Sequence, residues 1–163
     1  MTWENDFRKR IERYESINPK KAHMVTVSIK IRVQGGCFHR EHSPYAYEII
    51  DEYMDLHPSK EYLFEEHESG PEILTSLTII SQVVNFAAGV INLITAIIKA
   101  RTEGIIRGDT RNAPIELIVR TIDEKGNVEE EKVLQIKTGQ GISEELIQKV
   151  LTTSINKMFM KKE

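Results

Sequence analysis

The chain has 163 residues, 40% of them hydrophobic and 29% charged, which are the proportions of a globular domain and not of a disordered one. A formal net charge of -3 gives bulk electrostatics no reason to draw in nucleic acid. The single cysteine, Cys37, excludes an internal disulfide framework and suits a reducing compartment. Together with a polar, acidic N-terminus that lacks the apolar stretch of a secretory signal, this makes a cytoplasmic location the expectation, with membrane association as the alternative.

Trp3, Phe7, Ile11 and Tyr14 recur at helical spacing, with charged residues between them. Residues 1–20 therefore read as an N-terminal amphipathic helix, with Thr2 able to cap it and Pro19 following it. A single α+β domain is expected over 23–160. Its first strand is unambiguous, because Val25, Val27, Ile29, Ile31 and Val33 alternate with Thr26, Ser28, Lys30 and Arg32. After Gly35-Gly36, Ser43-Pro44 gives a cap followed by proline at the first helical position, and that helix ends before Pro58. Residues 61–67 read as a short acidic strand.

From Ile73 to Ile98 no residue is charged. The run is long enough to cross a bilayer and reads as one long apolar helix over 72–103, with Gly104 as its C-cap. Six polar or small positions, Thr78, Ser81, Gln82, Asn85, Gly89 and Asn92, fall every three to four residues and would form one stripe of a mostly apolar cylinder. That stripe is the expected interaction surface. A sheet of about four strands packed on such a helix would leave part of it bare, which argues for self-association or a protein partner. Insertion into a membrane, as a span or an oligomeric pore, is the alternative. Against it stand the amides, which need partners in hydrocarbon, and the strands on both sides of the run, which could not then share a sheet.

Acidic residues crowd the segment from Glu41 to Glu72, whereas Lys99, Arg101, Arg107 and Arg111 follow the run. This order matches the dipole of a helix between them and would also suit an acidic patch facing a basic partner. Residues 115–122 and 128–136 form a hairpin about the turn Asp123–Asn127, and Ser143 opens a last amphipathic helix with Ile147, Leu151, Ile155 and Met158 inside.

No catalytic motif is found, so the chain is read as non-enzymatic and no cofactor is expected. Cys37, His39 and His42 form a weak metal-ligand candidate: a thiol and two imidazoles suit zinc, but no standard spacing supplies a fourth ligand. Ser154-Ile-Asn-Lys157 and Lys137-Thr-Gly139 match penicillin-binding signatures only in the wrong order. Basic residues are not interleaved with aromatics, so nucleic acid is not an expected partner.

The layout of an alternating strand (Val25 to Val33), a helix ending at Leu56, an acidic strand, the break at Gly70-Pro71, the apolar run with Ala87 to Gly89, Lys99-Ala-Arg101, a charged-Gly hairpin and a C-terminal helix resembles the effector-associated constant component proteins. That resemblance implies a small non-enzymatic adaptor in a bacterial conflict or antiviral defence system, whose partner is an effector or an NTPase. It carries over no catalytic residues.

Overall fold

The computed structural model describes residues 2–67, 69–87, 89–109, 113–123 and 125–159. The order is α1 (Trp3–Ile17), β1 (Met24–Val33), α2 (Pro44–Leu56), β2 (Tyr62–His67), β3 (Gly70–Ile80), β4 (Val83–Asn85), α3 (Val90–Arg107), β5 (Ile115–Ile122), β6 (Val128–Ile136) and α4 (Glu144–Phe159). The protein is α+β. Its sheet has the order β2-β3-β1-β5-β6, with β4 paired to the end of β3, so it has six strands where about four were expected. Every pairing is antiparallel. β1 and β2 consequently run parallel to each other with β3 between them. The helical connection α2 thus joins strands that never touch.

The helix expected over 72–103 does not form. Its first part is β3, its middle is a hairpin, and only its last part is helical, as α3 from Val90. The physical reason lies in the residues. Ile73, Thr75, Thr78, Ile79, Ile80, Val83 and Val84 are β-branched, which favours a pleated strand buried on both faces and blurs any helical periodicity. β3 is such a strand, buried at nearly every position. Ser81 and Gln82 take φ of 51° and 67° between the paired residues Ile80 and Val83, the two-residue hairpin turn whose twist matches the strands. α3 ends at Arg107 with Gly108, not Gly104, as its cap. Gly104 lies inside the helix, where an added Cβ would strike the backbone nitrogen of Ala46 on α2. Among the described residues no helix is long and apolar enough to cross a membrane.

The even and odd residues of each strand face different layers. Val27, Ile29, Ile31 and Val33 of β1, Ile73 and Leu77 of β3, and Leu117 and Val119 of β5 meet Tyr47 and Ile50 of α2, Leu93, Ile94 and Ile97 of α3, and Ile147, Leu151 and Ile155 of α4 in one aliphatic core. On the opposite face α1 lays Phe7, Ile11 and Tyr14 against Leu74. Phe7, Ile11 and Tyr14 of the amphipathic stripe of α1 are thus buried against the domain, while Trp3 is 45% exposed. Of the large apolar residues in the former run, only Ile80 and Val83 at the hairpin tip are strongly exposed among the described residues. The bare apolar surface that a long helix would have offered to a partner is absent there.

Local capping departs from the sequence in one place. Ser143 caps α4, accepting from Leu146 N at 3.1 Å. Ser43, in the equivalent position before α2, makes no such bond. The carboxylate of Asp109 does so instead, accepting from Tyr45 N and Ala46 N, each at 3.0 Å, which ties the end of α3 to the start of α2.

Candidate functional site

The six residues expected to line one helix face are dispersed. Thr78 and Asn85 sit opposite each other on β3 and β4. Ser81 and Gln82 form the turn, and Gln82 O accepts from Asn156 Nδ2 of α4 at 2.9 Å. Gly89, at φ 92°, is the N-cap of α3. Asn92 lies in the first helical turn, its amide turned to donate to Glu144 at 3.0 Å. Three-to-four-residue spacing has no meaning once the chain reverses at Ser81. The structure therefore contains no common stripe.

Three other places gather chemistry. The first is the layer between α1 and the sheet, which sequence reading missed. Glu72 on β3 is fully buried and accepts from Arg10 Nε at 2.8 Å, Arg10 Nη2 at 3.2 Å and Ser28 Oγ at 2.9 Å, with His67 Nε2 at 3.4 Å. Burial alone would push its carboxyl up. The bonds from His67, Arg10 and Ser28 outweigh that and hold it at about 2. Lys30, its cross-strand neighbour, is only 3% exposed. Burial lowers its ammonium to about 8, against the pull of Glu72 and with the push of Arg120, Arg10 and Arg32. On the next strand Glu116 accepts from Arg32 and pairs with Lys132 at 3.1 Å. Its carboxyl is lowered too, because these partners outweigh its burial. A signal was present: charged residues alternate with Val and Ile within β1, and their face needed a polar cover. Glu65, His67 and Glu72 lie close enough together to hold an ion. However, Arg10 already occupies both oxygens of Glu72, so a cation would have to displace a buried guanidinium.

The second place is the loop between β1 and α2. Cys37 Sγ lies 3.0 Å from His42 Nδ1, and the ring of His39 lies against that of His42 with centroids 4.5 Å apart. All three weak candidates are thus brought together. Arg40 in the same loop instead points to α2 and β2, donating to Asp51 and Glu66. These bonds raise its already high pKa.

The third is a groove of about 590 Å³ bounded by α1, the end of the sheet and the last turn of α4. Its apolar floor includes Ile11, Met24, Ile122 and Phe159. Its rim carries Glu12, Glu15, Asp123 and Glu129 against Arg8 and Lys20. Arg8 is turned to the β5–β6 turn, donating to Gly126 O at 3.0 Å, and Lys20 pairs with Glu15 at 3.2 Å. Glu15 also accepts from Thr26 at 2.7 Å. Here the acidic bias lies on α1 and the β5–β6 hairpin, not on the Glu41–Glu72 segment where the sequence concentrates it.

No family model matches the sequence, and no curated protein or solved structure matches it at significance.

Proposed function

We propose that the protein is a non-enzymatic adaptor that docks a basic, amphipathic segment of a protein partner in the groove between α1 and the sheet end. The observation that carries this reading is the groove's composition: an apolar floor with a rim of four carboxylates and two bases, net negative even though Lys20 pairs with Glu15 and the Asp123 carboxylate accepts from its own turn. Such a surface favours a segment with apolar side chains for the floor and lysine or arginine for the rim. Docking replaces the apolar stripe over 73–98, which the fold takes into its own layers, as the route of association.

The resemblance to the effector-associated constant components fits an adaptor and would make the partner an effector or an NTPase. Two features that carry it, the alternating strand β1 and the charged-Gly hairpin, are present in the fold. The long apolar helix is not.

The test uses designed peptides. A Lys/Leu amphipathic peptide titrated into the labelled full chain should shift amide resonances of Met24–Thr26 and Thr121–Asp123 and bind at least ~10-fold more tightly than its Glu/Leu counterpart. Glu12→Lys, on the exposed rim, should reduce that preference. Equal affinities, or shifts confined to another face, would overturn the reading.

A further inference from the structure

Going beyond the docking reading and independent of it, we infer that Cys37, His39 and His42 form a binding site for one divalent cation of the zinc class. The thiol and the two imidazoles each present a donor atom, and these atoms all lie within 4.8 Å of one another. Sulfur and imidazole nitrogen select zinc and its borderline neighbours over calcium or magnesium, which require oxygen donors.

The backbone between the ligands is held in place. Phe38 is fully buried, its carbonyl accepts from Tyr47 Oη at 2.8 Å, and the guanidinium of Arg101 stands 5.2 Å from its ring centre. At the other end His39 O accepts from His42 N at 3.1 Å and from Ser43 N at 2.9 Å, and Ser43 Oγ accepts from Arg101 at 3.3 Å. The same arginine from α3 therefore fixes both ends of the loop. With Phe38 pinned inward, Cys37 and His39 on either side of it reach the surface beside His42. Little conformational entropy is left to lose on binding.

The rearrangement needed is small. Tetrahedral zinc with Zn–S of about 2.3 Å and Zn–N of about 2.0–2.1 Å sets the sulfur and nitrogen about 3.6 Å apart. Cys37 Sγ and His42 Nδ1 stand 3.0 Å apart. Opening that contact admits the ion, and the thiol proton leaves to solvent. His39 Nδ1 accepts from Glu41 N at 3.2 Å. That bond yields in either coordination mode: Nδ1 gives its lone pair to the metal, or the ring proton moves to Nδ1 while Nε2 coordinates. His42 is exposed, so water completes the fourth position.

The experiment loads the purified full chain with zinc and, separately, with cobalt(II), then removes loosely held ion by gel filtration. One zinc per chain is expected by elemental analysis, with a thiolate-to-cobalt charge-transfer band. Cys37→Ser should abolish the band, and His39→Ala or His42→Ala should weaken binding at least ~100-fold, as loss of a direct ligand must exceed the effect of an outer-shell change. His67→Ala, at the other candidate cluster, should leave the stoichiometry unchanged. As a measure that keeps the thiol in place, zinc should protect Cys37 from maleimide in the native chain but not in His42→Ala. Binding that survives Cys37→Ser, exceeds one ion per chain, or gives no protection of the thiol would overturn the site.

Discussion

On the side covered by α2, α3 and α4 the strands contribute Val27, Ile29, Ile31, Ile73, Leu77, Leu117 and Val119. On the side beneath α1 the same strands contribute Thr26, Ser28, Lys30, Arg32, Glu72 and Glu116, joined by Arg10 from the helix. The first surface holds together by area removed from water, which is non-directional and tolerates small shifts. The second places charges where water is scarce, so each carboxylate depends on a particular partner in a particular register. A one-residue slip of β1 against β3 would put Lys30 into the aliphatic core and Ile29 among the ion pairs. The polar face thus makes the register of the central strands costly to mistake, while the apolar face supplies most of the free energy.

The largest test of that division removes bulk from the apolar side. Ile29 is fully buried in the central strand. Ile29→Ala should cost about 3–4 kcal/mol, as lost transfer energy and a cavity that close packing cannot collapse. Urea unfolding should show it as a lower midpoint with an unchanged slope. A cost below about 1 kcal/mol would mean that the helices on this face rearrange freely.

On the other side the prediction is about partnership. Glu72→Leu leaves Arg10 only the 4.0 Å contact to Glu65 and takes the opposite charge from beside the buried Lys30, and should cost about 3 kcal/mol. Adding Arg10→Met should recover most of that loss, because the pair together gives little net stability over apolar residues of similar volume. A double variant that stays as destabilised as Glu72→Leu alone would instead show a pair worth more than its apolar replacement, and simply additive losses would show that the two side chains are not coupled. Acid offers the same test without mutation. The folded carboxyl of Glu72 sits at about 2, below its ordinary 4.5. Its contribution is complete above the ordinary value and is lost as pH falls towards 2, with an order of magnitude of 3 kcal/mol. Acid titration of the Glu72→Leu, Arg10→Met double variant should lack that loss.

The two faces also differ in how well they could be read. β1, α1 and α4 declare themselves by strict periodicity, and the hairpin β5–β6 by its conspicuous glycine turn, although a register shift between Leu117 and Ile118 breaks its alternation. β3 hides because it is buried on both faces, so it shows no alternation, and its apolar run continues without a charge into α3. Pro71 in an inner strand argues against a strand, yet it sits at the start of β3, opposite Glu66 of β2 but beyond the last residue paired with β1. Of the site, the Cys37–His42 loop was legible by proximity in sequence. The Arg10–Glu72 network was not, because it joins residues from separate elements whose pairing depends on placing β3 correctly.

The hairpin turn that defeated the helical reading supplies the smallest prediction. Ser81 and Gln82 both adopt positive φ, which costs a residue with a Cβ and costs glycine little. Asn-Gly or Asp-Gly is the usual sequence for such a turn, and Ser-Gln gives no comparable signal. Both side chains are exposed, and Gln82 contacts α4 through its backbone carbonyl, not its amide. Gln82→Gly therefore relieves a left-handed conformation that costs about 1–2 kcal/mol, less about 0.4–1 kcal/mol for the greater freedom of glycine in the unfolded chain, and should stabilise the protein by about 0.5 kcal/mol. The opposite outcome, destabilisation by the roughly 1 kcal/mol that glycine costs in a helix interior, would count against the positive-φ turn at Ser81-Gln82 and so against β3 as the inner strand dividing the two faces. The sign of one conservative change on an exposed turn thus tests the arrangement on which both faces depend.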